Sequence, residues 1–359
     1  MNILIAGGGT GGHLFPGIAV AKELVSRDAN HRILFVGSAR GIEVTAVPRA
    51  GFELILLPIS GLRRKSLWQM FIALCRVPIA LLCALVLVRR FRPDVALSVG
   101  GYAAFAAIVA AWFMGVPCMV IEQNSVAGLT NRILSRFAKH VVVPLPTKAF
   151  AARKLRVLGN PVRPELVAVG AQTYAPQQPF KLLVFGGSQG AKALNEIMLA
   201  IAAQWQENKL NWSIVHQTGK ADYERVVKSY ETHGMQQVTI KPFIENMAEA
   251  YLEADLVLCR AGATTVAELT VCGRPSILVP YPFAVDDHQS AHARVLAAEG
   301  AAVHLPQSEL SAPRLISLLF ELQNEPIRLV QMATAARKLG KPDAALRIAD
   351  LVIAEARHV

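Results

Sequence analysis

Several patterns are missing from this sequence of 359 residues, and their absence excludes some classes of protein. The five cysteines form no Cys-x-x-Cys pair and fall mostly in apolar runs, so we expect buried free thiols rather than disulfides or zinc ligands. There is no Asp-x-Asp motif, so we expect no tightly bound metal or other cofactor, although a divalent cation in solution could assist. The start of the chain lacks the basic flank and cleavage site of a signal peptide, so we expect a cytosolic protein.

An uninterrupted apolar run of transmembrane length is also missing. Residues 67–88 are largely apolar and lie between basic clusters, but Gln69, Arg76 and Pro78 interrupt them. A membrane span needs about 20 consecutive apolar residues, and only 77–88 remain here. We therefore predict a first helix at a membrane interface followed by a buried or half-buried helix, with two ordinary core helices as the alternative.

Acidic residues are scarce in the first half of the chain. Residues 1–160 contain 19 Lys and Arg against 6 Asp and Glu, whereas residues 161–359 contain 18 against 20. The basic residues cluster around apolar sequence rather than around interleaved aromatic residues. This distribution favours an anionic membrane surface over nucleic acid as the partner, and a merely basic soluble surface is the alternative.

Strand and helix patterns alternate through both halves, which predicts an α/β protein with doubly wound parallel sheets. Strands are expected at 2–6, 32–36, 53–57, 95–99 and 117–121, and again at 181–185, 212–217, 237–241, 255–259 and 275–279. A last amphipathic helix at 342–356 could cover either half.

The two halves also match each other in detail. Asp94–Gly101, a helix and Gly115-Val-Pro correspond to Asp255–Gly262, a helix and Gly273-Arg-Pro. This correspondence favours two tandem Rossmann-like domains over one large sheet, with a boundary near the prolines of 159–164.

A glycine-rich turn follows the first strand of the first half. Gly7-x-Gly9-x-x-Gly12 satisfies the dinucleotide fingerprint, so a nicotinamide-dependent oxidoreductase is one interpretation, but no acid ends the second strand and Glu43 comes too late. His13 ends this turn at the start of a helix, where the helix dipole favours a neutral ring that can take up a proton. Its alternative role is a hydrogen bond within the loop.

The turn at 186–190 in the second half fits two mechanisms. As a nucleophile elbow it would use Ser188 as the nucleophile of a hydrolase, with Asp255 or Asp286 and with His304. As a phosphate cradle it would offer backbone N–H groups and the Ser188 hydroxyl to an anion, which suits a first strand better.

Two later segments carry further candidates. Glu268, early in a predicted helix, could accept hydrogen bonds from two ribose hydroxyls, or it could merely complement the helix dipole. His288 and His292 are a weak metal signal, Asp287 is a candidate N-cap, and Gln289 is the better candidate for a sugar contact.

Together these segments resemble the MurG family, the UDP-N-acetylglucosamine:N-acetylmuramyl-(pentapeptide) pyrophosphoryl-undecaprenol N-acetylglucosamine transferases of bacterial cell-wall synthesis. The resemblance is carried in order by Gly8–Gly17, Val99–Tyr102, Glu122–Asn124, Ala127–Asn131, Gly159–Arg163, Gly186–Ala191 and Arg260–Glu268. The sequence departs from the family pattern at Ile121, where the family often has His, and at residues 103–105 after Tyr102.

The resemblance implies a GT-B fold of two Rossmann-like domains facing a central cleft. Residues 1–162 would form an acceptor-binding, membrane-associated domain, and 163–340 a UDP-GlcNAc-binding domain, with the helix at 341–359 packing back on the first. It implies donor contacts at Thr10, Gly11, Gly12, Asn124, Arg163, Ser188, Ile244 (to uracil, through the backbone), Ala263, Thr264, Thr265, Val266, Ala267, Glu268 and Gln289. Gly100, Gly101 and Tyr102 would lie on the acceptor side.

The implied reaction is an inverting transfer of GlcNAc from UDP-GlcNAc to the C4 hydroxyl of undecaprenyl-pyrophosphoryl-MurNAc-pentapeptide, which converts lipid I to lipid II. His13 is the candidate base. The protein would be peripheral, at the cytoplasmic face of the inner membrane, with other cell-wall synthesis proteins as potential partners. The oxidoreductase, the serine hydrolase and a membrane-surface scaffold without turnover are the alternatives.

Overall fold

The computed structural model divides the chain into two compact units, the first comprising Met1–Arg163 with Lys341–Val359 and the second Pro164–Gly340. The structure describes residues 1–9, 11–39, 41–59, 67–124, 126–208, 210–235, 237–284 and 287–357, and for residues 67–76 the backbone alone. Each unit is built on one parallel sheet whose strands alternate with helices. The expected α/β class with two Rossmann-like domains is therefore confirmed.

The first unit contains, in chain order, β1 (Asn2–Gly7), α1 (Gly11–Arg27), β2 (Arg32–Ser38), α2 (Glu43–Arg49), β3 (Glu53–Leu57), α3 (Leu67–Phe91), β4 (Val95–Gly100), α4 (Tyr102–Phe113), β5 (Cys118–Ile121), α5 (Leu129–Leu134), β6 (His140–Val143) and β7 (Leu155–Val157). Its sheet has the order β3-β2-β1-β4-β5-β6-β7, which reverses between β1 and β4. The five expected strands lie within two residues of the observed ones. The sequence analysis missed β6 and β7, which are too short to show a periodic pattern.

The second unit contains α6 (Pro164–Gly170), β8 (Lys181–Phe185), α7 (Lys192–Ala203), β9 (Ser213–Gln217), α8 (Tyr223–Thr232), β10 (Val238–Lys241), α9 (Met247–Glu253), β11 (Leu256–Cys259), α10 (Ala263–Cys272), β12 (Ser276–Leu278), α11 (His288–Ala298), β13 (Ala302–His304), α12 (Ala312–Asn324) and α13 (Pro326–Leu339). Its sheet has the order β10-β9-β8-β11-β12-β13, with the same reversal between β8 and β11. The last helix, α14 (Ala344–Glu355), belongs to the first unit.

Both faces of the first sheet are buried, because β1 sends alternate side chains to two cores. Leu4 and Ala6 pack in a core formed with α3 and α4, whereas Ile3 and Ile5 pack in one formed with α1 and α14. Strands that are covered on both faces have nearly continuous apolar sequences, and the strands of this sheet have such sequences. The C-terminal helix is thus part of the core of the first unit.

The internal repeat has a structural basis at the start of two strands. Asp94 precedes β4, and its carboxylate accepts a hydrogen bond from the backbone N–H of Asn2 at 2.7 Å. Asp255 precedes β11, and its carboxylate accepts from the backbone N–H of Lys181 at 2.8 Å. In each unit the aspartate therefore fixes the register between the two central strands.

The apolar segment 67–91 forms one continuous helix, α3, so the prediction of two helices is wrong. Pro78 lies inside the helix and does not end it. Ala80, Ala84 and Val88 form a buried stripe along one side. Within the described ranges, no helix combines the length and the apolar character needed to cross a membrane.

The prediction of buried free thiols holds for three cysteines. Cys118, Cys259 and Cys272 are buried and unoxidised, whereas Cys83 is exposed on α3, which corrects the prediction there. Burial raises the pKa of the Cys118 thiol to about 12, so this thiol is not a reactive thiolate at neutral pH. The side chain of Cys75 lies outside the described residues.

Candidate functional sites at the sheet reversals

The first candidate site lies at the carboxyl ends of β1 and β4, where the order of the first sheet reverses. The backbone N–H of Gly8 donates to the carbonyl of Gly100 at 3.2 Å. A Cβ atom on Gly7 would lie 2.5 Å from that Gly100 oxygen, and one on Gly101 would lie 2.6 Å from the Gly8 oxygen. Close backbone packing therefore requires these glycines, and it places the exposed Tyr102 at the start of α4.

The carboxylate of Glu43 fills the inside of the first glycine turn. Glu43 is fully buried, and its oxygens accept hydrogen bonds from the backbone N–H of Gly9 at 2.8 Å and of Ser38 at 3.0 Å. An anionic side chain thus occupies a backbone donor that a dinucleotide pyrophosphate would use, and it would repel that pyrophosphate. Glu43 therefore binds the turn itself, a contact that the sequence analysis did not foresee, and its position counts against the oxidoreductase.

His13 lies in the first turn of α1 with its imidazole half-buried. Its Nδ1 is 3.0 Å from Oε1 of Gln123, a buried residue that follows β5. The Nε2 of Gln123 donates in turn to the carbonyl of Val99 at 3.0 Å. A Cβ on Gly100 would lie 3.0 Å from the His13 Nδ1, so glycine at that position leaves room for the ring. The imidazole is therefore held by a residue from another strand and not only by its own loop.

Asn124, the candidate sugar contact, is held by the buried carboxylate of Glu122. The Oε1 atom of Glu122 accepts from the backbone N–H of Asn124 at 3.0 Å and from its Nδ2 at 3.2 Å. The Oε2 atom accepts from the backbone N–H of Gly128 and from Nδ2 of Asn131, both at 3.0 Å. One carboxylate thus fixes both ends of the loop that carries Asn124.

The remaining donor-side candidates of the first unit surround the start of α1. Gly11 is buried, and a Cβ there would lie 2.8 Å from the ring of Phe15. The guanidinium of Arg163 lies 4.8 Å above the centre of the same ring, in a cation–π arrangement. Gly12 is exposed, and Thr10 lies outside the described residues.

The second candidate site lies at the carboxyl ends of β8 and β11, where the second sheet reverses. The turn at 186–190 packs against the turn that follows β9, because a Cβ on Gly190 would lie 2.0 Å from the carbonyl oxygen of Thr218. Gly190 also has a φ of +75°, which favours glycine. Ser188 is half-buried in this turn, four residues before α7 begins.

Gln217, at the end of β9, connects this turn to the candidate uracil contact. Its Nε2 donates to the carbonyl of Gly187 at 2.8 Å, and its Oε1 accepts from the backbone N–H of Ile244 at 2.9 Å. Both Gln217 and Ile244 are buried. The sequence analysis missed Gln217, whose only signal was an amide side chain at the end of an apolar strand.

The candidate diphosphate and ribose contacts lie on α10. Its first five residues, Ala263, Thr264, Thr265, Val266 and Ala267, are partly exposed, and the sixth, Glu268, is buried. Glu268 is therefore too far along the helix to complement the dipole of the first turn, so that alternative is wrong. Its Oε2 accepts from the hydroxyl of Tyr251 at 3.1 Å. Burial and the carboxylate of Glu268 raise the pKa of Tyr251, which keeps the phenol protonated as a donor.

Gln289 lies in the first turn of α11 and is tied to the loop after β12. Its Oε1 accepts from the backbone N–H of Tyr281 at 3.0 Å. The buried guanidinium of Arg260 fixes the same loop, because it donates to the carbonyls of Val279 at 3.0 Å and Pro280 at 2.9 Å. An arginine that follows the neighbouring strand thus holds the loop to which the side chain of Gln289 is bonded.

Among the described residues, the histidines of α11 belong to no group of potential metal ligands. His288 and His292 lie with their ring centres 5.9 Å apart, and Nδ1 of His292 donates to the carbonyl of Ala261 at 3.1 Å. Asp287 occupies the N-cap position, as expected, but its side chain makes no capping hydrogen bond to the helix. In the part of the chain that the structure describes, no three His, Cys, Asp or Glu residues are grouped to hold a metal ion.

The strand topology separates the residues of the hydrolase alternative. Ser188 follows the carboxyl end of β8, whereas Asp255 precedes β11 and lies at the opposite edge of the parallel sheet. The Asp255 carboxylate is also occupied by backbone N–H groups. A triad through Asp255 therefore cannot form, and Asp286 lies outside the described residues.

Comparison with known proteins agrees with this geometry. Residues 3–143 match the glycosyltransferase family 28 N-terminal domain, and residues 181–348 match the glycosyltransferase family 28 C-terminal domain. The UDP-N-acetylglucosamine--N-acetylmuramyl-(pentapeptide) pyrophosphoryl-undecaprenol N-acetylglucosamine transferase of Myxococcus xanthus is 43% identical over 98% of this chain and 92% of its own length. The protein of the same name from Anaeromyxobacter dehalogenans is 45% identical, with the same two coverages. The crystal structure of MurG from Acinetobacter baumannii is 34% identical, with a TM-score of 0.73 over 98% of this chain and 99% of that chain.

Two Rossmann-like units with glycine turns at their sheet reversals, matched in both halves by these domains, define a family 28 glycosyltransferase. Within that class the chain belongs to the MurG family. The resemblance inferred from the sequence is thereby confirmed, and the oxidoreductase alternative has no support among these relatives.

Proposed function

We propose that this protein transfers GlcNAc from UDP-GlcNAc to the C4 hydroxyl of undecaprenyl-pyrophosphoryl-MurNAc-pentapeptide, with inversion, and so converts lipid I to lipid II in peptidoglycan synthesis. The observation that carries the proposal is the match to transferases of this name along nearly the whole chain. The second glycine-turn site supports it, because α7 and α10 begin at the carboxyl edge of its parallel sheet, where helix starts favour a phosphate.

We assign UDP-GlcNAc to the second unit. Gln217 occupies the backbone N–H of Ile244, so we assign the carbonyl of Ile244 to the N3–H donor of uracil. Glu268, oriented by Tyr251, is assigned to the ribose hydroxyls, and Gln289 to the hydroxyls of GlcNAc. We assign to the starts of α7 and α10, with the hydroxyl of Ser188, the stabilisation of the charge that grows on the departing diphosphate.

We assign the lipid-linked acceptor to the first unit, with His13 as the base. The C4 hydroxyl oxygen bonds to the anomeric carbon while the bond from that carbon to the diphosphate oxygen breaks. The hydroxyl proton passes to His13, and UDP leaves with the bonding electrons. Asn124 is placed to orient the transferred sugar, and a divalent cation from solution can assist by neutralising the diphosphate.

We further propose that the first unit binds the anionic cytoplasmic face of the inner membrane as a peripheral protein. An apolar surface extends over α3, α4 and α5 and comprises the exposed residues Ile79, Leu82, Val86, Trp112, Phe113, Leu129 and Ile133. Phe113 is 77% and Leu82 64% exposed, and an apolar surface that groups several such side chains is typical of a binding surface. Exposed basic residues adjoin this surface on the same elements and in the segment after α5, namely Arg89, Arg90, Arg132, Arg136 and Lys139. This combination suits an anionic bilayer surface.

Labelled UDP-GlcNAc incubated with the lipid-linked muramyl acceptor tests the transfer. We expect labelled lipid to form, and none in the absence of acceptor. A lack of labelled lipid, together with a melting temperature raised by NADH and not by UDP-GlcNAc, would overturn the proposal.

Flotation with vesicles that contain phosphatidylglycerol tests the membrane surface. The double variant Leu82→Glu and Val86→Glu should lose most of its vesicle binding. The matched control is Ile327→Glu, at a position in the second unit that is 74% exposed and apolar. Equal flotation of the two variants would contradict the assignment.

A further inference from the structure

The side-chain amide of Gln123 has one possible orientation. Gln123 is 1% exposed, so both ends of its amide need partners within the protein. One end lies 3.0 Å from the carbonyl oxygen of Val99, which can only accept a hydrogen bond. That end must therefore be the NH2 group, and the oxygen of the amide must face His13.

This orientation fixes the proton on the His13 ring. The Gln123 oxygen lies 3.0 Å from Nδ1 of His13, and an amide oxygen can only accept. The hydrogen must then be on Nδ1, and because a neutral imidazole carries only one N–H, its Nε2 holds the lone pair. The backbone of β4 thus determines the tautomer of His13 through a single glutamine.

We infer that Gln123 is a positioning residue that holds His13 in the Nδ1–H tautomer, so that Nε2 can receive the proton of the acceptor hydroxyl. The inference rests on the proposed function of His13 as the base. The partner is a neutral amide and not a carboxylate, so it orients the ring without placing a full charge beside it. Among the described residues, the titratable and charged groups on neighbouring elements include Glu43, Tyr102, Glu122 and Arg163, and both carboxylates already accept hydrogen bonds from the backbone.

Two substitutions test whether Gln123 orients the imidazole of His13 or only supports the fold. In Gln123→Glu one carboxyl oxygen must donate to the carbonyl of Val99, so the buried carboxyl stays protonated and its other oxygen accepts from Nδ1. The Nδ1–H tautomer and the pH–rate profile should then remain close to those of the wild type. Gln123→Met keeps the bulk but removes the acceptor, so kcat should fall about ten-fold or more while KM for UDP-GlcNAc changes less than about two-fold. The control is Gln206→Glu, an exposed position in the second unit that should show the wild-type profile.

Nitrogen-15 NMR of protein labelled at histidine measures which ring nitrogen of His13 is protonated, and it does not require catalytic activity. We expect Nδ1 of His13 to be protonated and Nε2 to be the bare nitrogen in the wild type, and a mixture of tautomers in Gln123→Met. A wild-type ring protonated on Nε2 would overturn the inference even if the methionine variant failed to fold, and so would a ring protonated on Nε2 in Gln123→Glu. Failure of the proposed function would appear differently, as a correct tautomer without labelled lipid.

Discussion

Replacing Glu122 by glutamine tests whether one buried carboxylate shapes the loop that carries Asn124. The carboxylate accepts four hydrogen bonds, two at each oxygen, from Asn124, Gly128 and Asn131. A glutamine keeps the shape, but whichever way its amide is turned, the NH2 group faces two of these donors. A hydrogen bond to a charged group contributes about 1.5–3 kcal/mol, so the loss of two amounts to about 3–6 kcal/mol.

Hydrogen–deuterium exchange of peptides covering 122–131 measures this loss directly. We expect exchange in the variant to be at least about a hundred-fold faster, which corresponds to about 2.7 kcal/mol, and kcat/KM for UDP-GlcNAc to fall about ten-fold or more. Glu224→Gln, at an exposed position in the second unit, is the matched control and should leave both quantities unchanged. Wild-type exchange of this segment in Glu122→Gln would refute the reasoning, because the four donors would then not depend on the charge.

Three further predictions follow from other buried polar groups. Glu43→Gln should destabilise the first unit by about 1.5–3 kcal/mol, because Gly9 loses a charged acceptor, and an unchanged melting temperature would contradict this. Burial lowers the pKa of His216 to about 4 from 6.5, so between these pH values the unfolded chain binds more protons than the folded chain. The contribution of the neutral, buried ring to the free energy of unfolding is complete above pH 6.5 and is lost toward pH 4, by about 2 kcal/mol at pH 5. Urea unfolding at pH 7 and pH 5 should show this loss, and His216→Gln should reduce it. Tyr251→Phe should weaken UDP-GlcNAc binding about five-fold in calorimetry, because Glu268 loses a donor, and equal affinity would argue against that role.

The alternation of strands and helices could be predicted for the first part of each half but not for its end. The first five strands of each half lie within two residues of their expected positions, whereas α12 and α13 were not predicted although they are 13 and 14 residues long. The short strands β5 and β12 were found because a Gly-x-Pro segment precedes each of them, whereas β6, β7 and β13 are equally short, follow no such segment and were missed. The helix at 67–91 was divided in two because Pro78 breaks the apolar pattern, although an internal proline need not end a helix.

The candidate site could be predicted only in part, because the residues that hydrogen-bond to the glycine turn and to His13 are far from them in the sequence. The glycine turns and His13 can be recognised from the local sequence, because they follow a strand at a characteristic spacing. Glu43 lies 34 residues after Gly9, and Gln123 lies 110 residues after His13, so no local pattern links either pair. These contacts arise from parallel pairing, which brings the carboxyl ends of distant strands to the same edge of the sheet.

The configuration of the new glycosidic bond tests the central claim most directly. The disaccharide released from the labelled lipid product can be examined by proton NMR, in which the coupling constant of the anomeric proton distinguishes α from β. A single displacement from the α-linked donor, with the acceptor hydroxyl deprotonated by His13, predicts a β-linked GlcNAc. An α-linked product, or free GlcNAc in place of labelled lipid, would contradict the account.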